Sequence, residues 1–380
     1  MSKREGGKKV LLGVLVIAVC IAIYVIGNSG KFGEYKHDYK VKVESFDNIY
    51  EGNNIRFYYM DGKNDYQKNL KEKYKLNEVI GSAGNEIEKA MAIIDWVNEK
   101  AEFNVSAMEV GKTTDEIMEK LENSKALSDE GYSIVLEETL STLDVFVRKG
   151  TYLTANTVKP DPSQSYKVIE VWSKVHAKWV MIDAGNKCYM TLDDVPLSAV
   201  EIIENGLDKV NIVGLKNEKQ VKKYKKDMKK YFNMYTMPID SNKYRELKSN
   251  SYVTYVKNLD DVQLENQKGF ISPMIFVNKR DVFDLNPEII NGNRNKDTKA
   301  AMILSKKDLK EDKEGAVGFT IGAFKDSVML EKFYISINGG KYYEVKNYYD
   351  LSLVEGSTKI TLSEDGVNPI REIVLKKMGK

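Results

Sequence analysis

Alternation of apolar and polar positions organises this chain around a hairpin near its middle. Along 166–173, Tyr166, Val168, Glu170 and Trp172 alternate with Lys167, Ile169 and Val171. A second run, Trp179-Val180-Met181-Ile182, is rich in residues that suit a pleated, half-buried surface. The polar connector 174–178 has hairpin length, so 166–183 is predicted to be two antiparallel strands ending in Asp183. Upstream, Ile134, Leu136, Leu140, Leu143 and Val147 recur at roughly helical spacing. That pattern predicts an amphipathic helix over 132–142, then a short strand at 145–147.

The same reading places strands at 40–44 and 55–59, with Asp61-Gly62 as a turn. In 216–231, Val221, Tyr224, Met228 and Tyr231 fall on one helical face and lysines take the rest. A strand follows at 251–256. Residues 281–313 are polar and rich in turn formers, and a linker is placed at 286–312. Beyond it, strands at 316–324, 332–337, 342–345, 357–362 and 371–375 predict a small β-sandwich of immunoglobulin-like type, with Asn338-Gly339-Gly340 as a hairpin turn.

An unbroken apolar or small stretch runs from 10 to 27 behind Lys3, Arg4, Lys8 and Lys9. A bilayer needs about 20 such residues, and flanking basic residues stay on the cytoplasmic side. The run therefore predicts an uncleaved, single-pass signal anchor, with the bulk of the chain outside the membrane. Val19 and the apolar residues beyond Cys20 fit a lipoprotein signal poorly. A net charge of +2 gives no reason to expect nucleic acid, and two cysteines make no disulfide framework. The spacing suggests no metal site or cofactor. High lysine, tyrosine and asparagine content is compatible with a Gram-positive bacterium.

A helix followed by a hairpin that ends in aspartate resembles the core of the transglutaminase-like family, in the papain-like cysteine-protease group. The resemblance extends over about 70–204. Leu70-Lys71-Glu72-Lys73-Tyr74, Asn85-Glu86-Ile87-Glu88-Lys89 and Trp96-Val97 look like a helical lead-in. Asp115 to Leu121 looks like the helix before the nucleophile, and Asp144-Val145-Phe146-Val147-Arg148 like the following strand, where the family usually has glycine at the place of Asp144. Residues 195–201 resemble the helix that follows the aspartate strand, with Pro196 near its start, where a missing amide has no partner to lose. The resemblance implies an α+β fold: N-terminal helices and an antiparallel sheet form a papain-like core, with a transmembrane helix before it and the sandwich after it.

It also implies a cysteine at a helix N-terminus, a histidine on the next strand and an aspartate on the strand after. The helix terminus and the imidazole activate the thiol, and the aspartate orients the imidazole. Counting back from Arg148 by the family's spacing reaches Asp129, with Ser128 one residue away; counting back from Glu170 reaches Tyr166; only Asp183 is retained. Neither Cys20 nor Cys188, and neither His37 nor His176, stands where the chemistry needs it. Lys167 should face away from Tyr166, which disfavours a Ser128–Lys167 dyad.

The domain reading is an anchor at 1–29, a linker with first strands at 30–69, the transglutaminase-like domain at 70–285, a linker at 286–312 and the sandwich at 313–380. The expectation is a pseudoenzyme that binds a peptide or cell-wall component, with Trp172 and Arg148 as groove residues. Its rivals are a rewired hydrolase or transferase using Ser128 or Asp129 with Asp183, and an envelope spacer or adhesion protein. The expected partners are the membrane through 10–27 and a cell-wall peptide or anionic wall polymer.

Overall fold

Short polar side chains in extended conformation start most of the helices, as their free first-turn amides require. The computed structural model describes residues 41–107, 111–154, 165–247, 249–262, 264, 273–289, 295–307 and 317–378. The expected membrane span at 10–27 lies outside them. Among the described residues no helix is long and apolar enough to cross a membrane. The helices are α1 (Asp65–Lys73), α2 (Leu76–Ile80), α3 (Glu86–Asn98), α4 (Thr114–Leu121), α5 (Asp129–Ser141), α6 (Ala199–Asn205) and α7 (Glu218–Met228). Asn64, Asn85, Thr113, Ser128, Ser198 and Asn217 cap all but α2, each accepting an amide hydrogen three residues on.

The predicted hairpin forms as Ser165–Ser173 and Lys178–Asp183, in a mixed, mostly antiparallel 13-stranded sheet. Both faces of this sheet are covered. Val147, Ile169, Val171, Val180 and Ile182 join a core with α3, α4 and α5, while Tyr152, Tyr166, Val168, Met181 and Cys188 join a core with α6 and α7. The two sets alternate along each strand, as the pleat demands.

Helix α5 differs from its prediction. It is not amphipathic: every residue from Gly131 to Ser141 is buried, because the sheet covers one side and α3 and α4 the other. Its polar residues survive burial by finding partners. Ser133 donates to the Asp129 carbonyl at 2.8 Å and Thr139 to that of Val135 at 2.7 Å. Glu137 pairs with Lys149 at 2.8 Å. Glu138 accepts the Thr114 amide at 2.6 Å and the Tyr244 hydroxyl at 2.9 Å, and pairs with Lys243. The following strand is Val147–Leu153, longer than the three residues at 145–147.

Asp144, where the resemblance expects glycine, has φ 58° and is exposed. A side chain in this left-handed region is strained and glycine is not. Asp144→Gly is therefore expected to stabilise the chain by some tenths to about 1 kcal/mol, read as a higher urea midpoint.

Three more expectations are corrected. Val195–Pro196 is a two-residue strand and α6 starts after Ser198, whose capping box with Glu201 gives a stronger start than proline. Residues 55–59 form no strand; Tyr58 makes only an isolated bridge to Asp240. The segment read as a linker at 286–312 contains the strand Ala301–Lys307, paired along its length with Val317–Lys325. The five expected tail strands are present within two or three residues, together with Val328–Met329 and Tyr349–Leu353. Val317–Lys325 and its neighbours continue the large sheet. Val41–Asp47, Arg371–Lys377, Gly356–Ser363, Lys332–Ile337 and Tyr343–Lys346 form a separate five-stranded sheet.

Candidate functional site

Asp183 ends its strand one step past the last rung shared with the preceding strand, Ile169 opposite Ile182. Beyond that rung the preceding strand offers it no partner, its own rung being with Cys188 of the next strand, and side chains close around its carboxylate. Tyr166 donates its hydroxyl to Oδ1 at 2.7 Å, and Tyr224 of α7 donates to Oδ2 at 2.7 Å. The backbone amide of Asn186 donates to Oδ1, and its Nδ2 to Oδ2, both at 3.0 Å. Nδ2 also reaches the Tyr166 hydroxyl oxygen at 3.0 Å, so the phenol accepts there while it donates to the carboxylate. The Tyr231 ring lies 5.5 Å from that of Tyr166.

The N-terminus of α5 meets the same strand. Ser128 uses its hydroxyl oxygen to accept the Gly131 amide at 3.2 Å, so it serves as a cap. Asp129 accepts the Lys167 amide on Oδ2 at 2.6 Å, one residue from Tyr166. The structure thus places Asp129, Tyr166 and Asp183 in sequence along one short path, helix end to strand to strand. Lys167 turns its side chain to Glu130, as the alternation predicts.

Electrostatically this is a protonated cluster around an unusual carboxylate. Burial, then the charge of Asp183, holds the Tyr166 phenol well above its ordinary value, and the same two causes act on Tyr224. Burial also pushes the carboxyls of Asp183 and Asp129 up. Cys188 pairs across the strand from Asp183, fully buried, with burial raising its thiol well above the ordinary range. Such a thiol is a poor nucleophile.

Arg148 and Trp172, expected in a groove, are interior. Arg148 Nε donates to Glu170 Oε2 at 2.7 Å; Nη2 is equally close to that oxygen, without hydrogen-bond geometry. The guanidinium lies 4.1 Å from the centre of the Trp179 ring. Glu170 also accepts the Tyr235 hydroxyl at 2.8 Å and the Ala199 amide at 2.9 Å. Trp172 packs edge-on to Trp179, 5.6 Å away. Burial requires both residues to be partnered, and each is used inside the core. Gly150 makes this network possible, since a Cβ there would meet the Tyr235 hydroxyl at 1.9 Å.

Tyr224 and Asn186 are the site members that sequence reasoning missed, while Cys188, set aside there as a nucleophile, is the ladder neighbour of Asp183. For Tyr224 a signal existed: it lies on the apolar face of the lysine-rich helix, and that face needed a target.

No family model matches the chain, and neither does any curated protein. Among solved structures it is similar to a candidate cysteine protease from Cytophaga hutchinsonii, at 16% identity and a TM-score of 0.25, over 39% of this chain and 49% of that one. It is also similar to red sea bream transglutaminase, at 11% identity and a TM-score of 0.30, over 90% of this chain and 62% of that one. The chain thus spans about half the length of the first and under two thirds of the second.

Proposed function

We propose that this chain is a membrane-anchored, extracytoplasmic protein built on a transglutaminase-like domain that has lost catalysis and holds a peptide or cell-wall fragment, with an immunoglobulin-like tail as spacer. The observation that carries the loss of catalysis is the Tyr166 hydroxyl donating to Asp183 at 2.7 Å, with both residues buried. In the family arrangement an imidazole stands there and takes the nucleophile's proton. A phenol kept protonated by burial and a carboxylate cannot do so near neutral pH. The nucleophile position carries a carboxylate bonded to a backbone amide, and the anchor rests on the apolar run at 10–27.

Rebuilding the missing pair tests this alignment. In full-length chain carrying Cys20→Ser and Cys188→Ser, Asp129→Cys with Tyr166→His should react with an iodoacetamide probe at pH 7 at least tenfold faster than Asp129→Cys alone. Equal rates would mean that positions 129 and 166 are not the nucleophile and base positions.

A further inference from the structure

Helix α7 has two faces with different fates. Tyr224 and Met228, with Tyr231 just beyond the helix, are buried in the core, and Tyr224 is bonded to Asp183. On the opposite side Lys219, Lys222, Lys226 and Lys229 follow at spacings of three and four, so they form a stripe with about 5 Å between turns. All four are exposed. Neutralisation is sparse: Lys229 reaches Asp208 at 2.6 Å, and Lys222 reaches Glu218 only at 3.9 Å, with both side chains more than four-fifths exposed. Lys219 and Lys226 have no ion pair among the described residues.

Like charges at these spacings destabilise a helix by about 0.2–0.5 kcal/mol per pair. The chain tolerates this repulsion on the outer face of a helix whose inner face is fixed.

We infer that this stripe is a docking surface for a linear polyanion of repeating phosphates that carries no bases. Charge complementarity along a straight row suits a linear chain of charges. A bilayer fits less well, because a membrane-surface helix inserts an apolar face and α7 has already buried its own. A nucleic acid fits less well too: single strands are held by exposed aromatic rings, and both tyrosines of this segment are buried. The inference does not depend on the proposed loss of catalysis.

The test uses full-length chain in neutral detergent with long-chain inorganic polyphosphate as the probe. Binding should weaken with salt, with a log–log slope of about −3 to −4 for four lysine contacts. Lys219→Gln/Lys222→Gln/Lys226→Gln should weaken it at least tenfold and reduce the slope by about 2–3, with a melting temperature no lower than that of the wild type. Lys63→Gln/Lys299→Gln/Lys341→Gln, with the same loss of charge elsewhere, should bind like the wild type. Equal weakening by both triple variants, or no weakening by the first, overturns the inference. So does lysine-dependent binding that is tighter to single-stranded DNA, or to phosphatidylglycerol vesicles, than to polyphosphate at equal phosphate.

Discussion

Glu170→Gln is expected to cost the folded chain about 3–5 kcal/mol, seen as a lower urea midpoint at unchanged slope. The carboxylate is fully buried and is the anionic partner of a guanidinium that is itself 1% exposed. Removing its charge leaves Arg148 buried and unpaired, and arginine cannot escape by losing its proton. The Trp179 ring, 4.1 Å away, offsets only part of that cost. The amide also turns a donor toward a place where Arg148, Tyr235 and Ala199 all donate. Arg148→Met should cost less, because Glu170 keeps the Tyr235 hydroxyl and the Ala199 amide as donors. A double variant, Arg148→Met/Glu170→Leu, should be more stable than Glu170→Gln alone. A Glu170→Gln chain within about 0.5 kcal/mol of wild type would show that the pair does not hold the sheet to α6.

Asp183→Ala has the second largest expected effect, about 3–4 kcal/mol, in the same measurement. It removes the acceptor for four hydrogen bonds and strands two buried phenols, each lost partner costing about 1–3 kcal/mol. Relief of carboxylate desolvation offsets part of this. Asp183→Asn, which keeps the shape, should cost about 1–2 kcal/mol. The pH dependence has a definite sign. Burial raises the Asp183 carboxyl above its ordinary value, so the folded chain binds a proton at higher pH than the unfolded chain. Stability from this group is therefore lost as pH rises from the ordinary carboxylate range through the raised value, and it is kept on the acid side. Asp183→Asn should remove that slope.

The hairpin was legible because Tyr166 to Trp172 alternate and a polar connector follows; local pattern and tertiary burial agree there. The inner face of α7 was legible too, since Tyr224, Met228 and Tyr231 share one stripe, but periodicity cannot name what a face packs against. The meeting of Tyr224 with Asp183 crosses forty-one positions of sequence and leaves no local trace. Helix α5 misled for a related reason. An amphipathic helix implies a polar outer face, yet Glu137 and Glu138 are buried, and Lys149 and Lys243, from distant segments, make their burial tolerable. Ala301–Lys307 was hidden by the lysines around a five-residue apolar run, 300–304, and Val41–Asp47 finds its partner at the other end of the chain, in Arg371–Lys377. Arg148 and Trp172 drew attention as large side chains near an expected groove, where burial uses them as core.

The proposed loss of catalysis turns on whether the cluster of Asp129, Tyr166 and Asp183 does any chemistry. Full-length chain, incubated with a glutamine-rich peptide library and a labelled primary amine, measures hydrolysis and transamidation together. Wild type and Asp183→Asn are both expected to leave the library unchanged and unlabelled. Turnover by the wild type that disappears in Asp183→Asn would make Asp183 part of a working site and contradict the proposal.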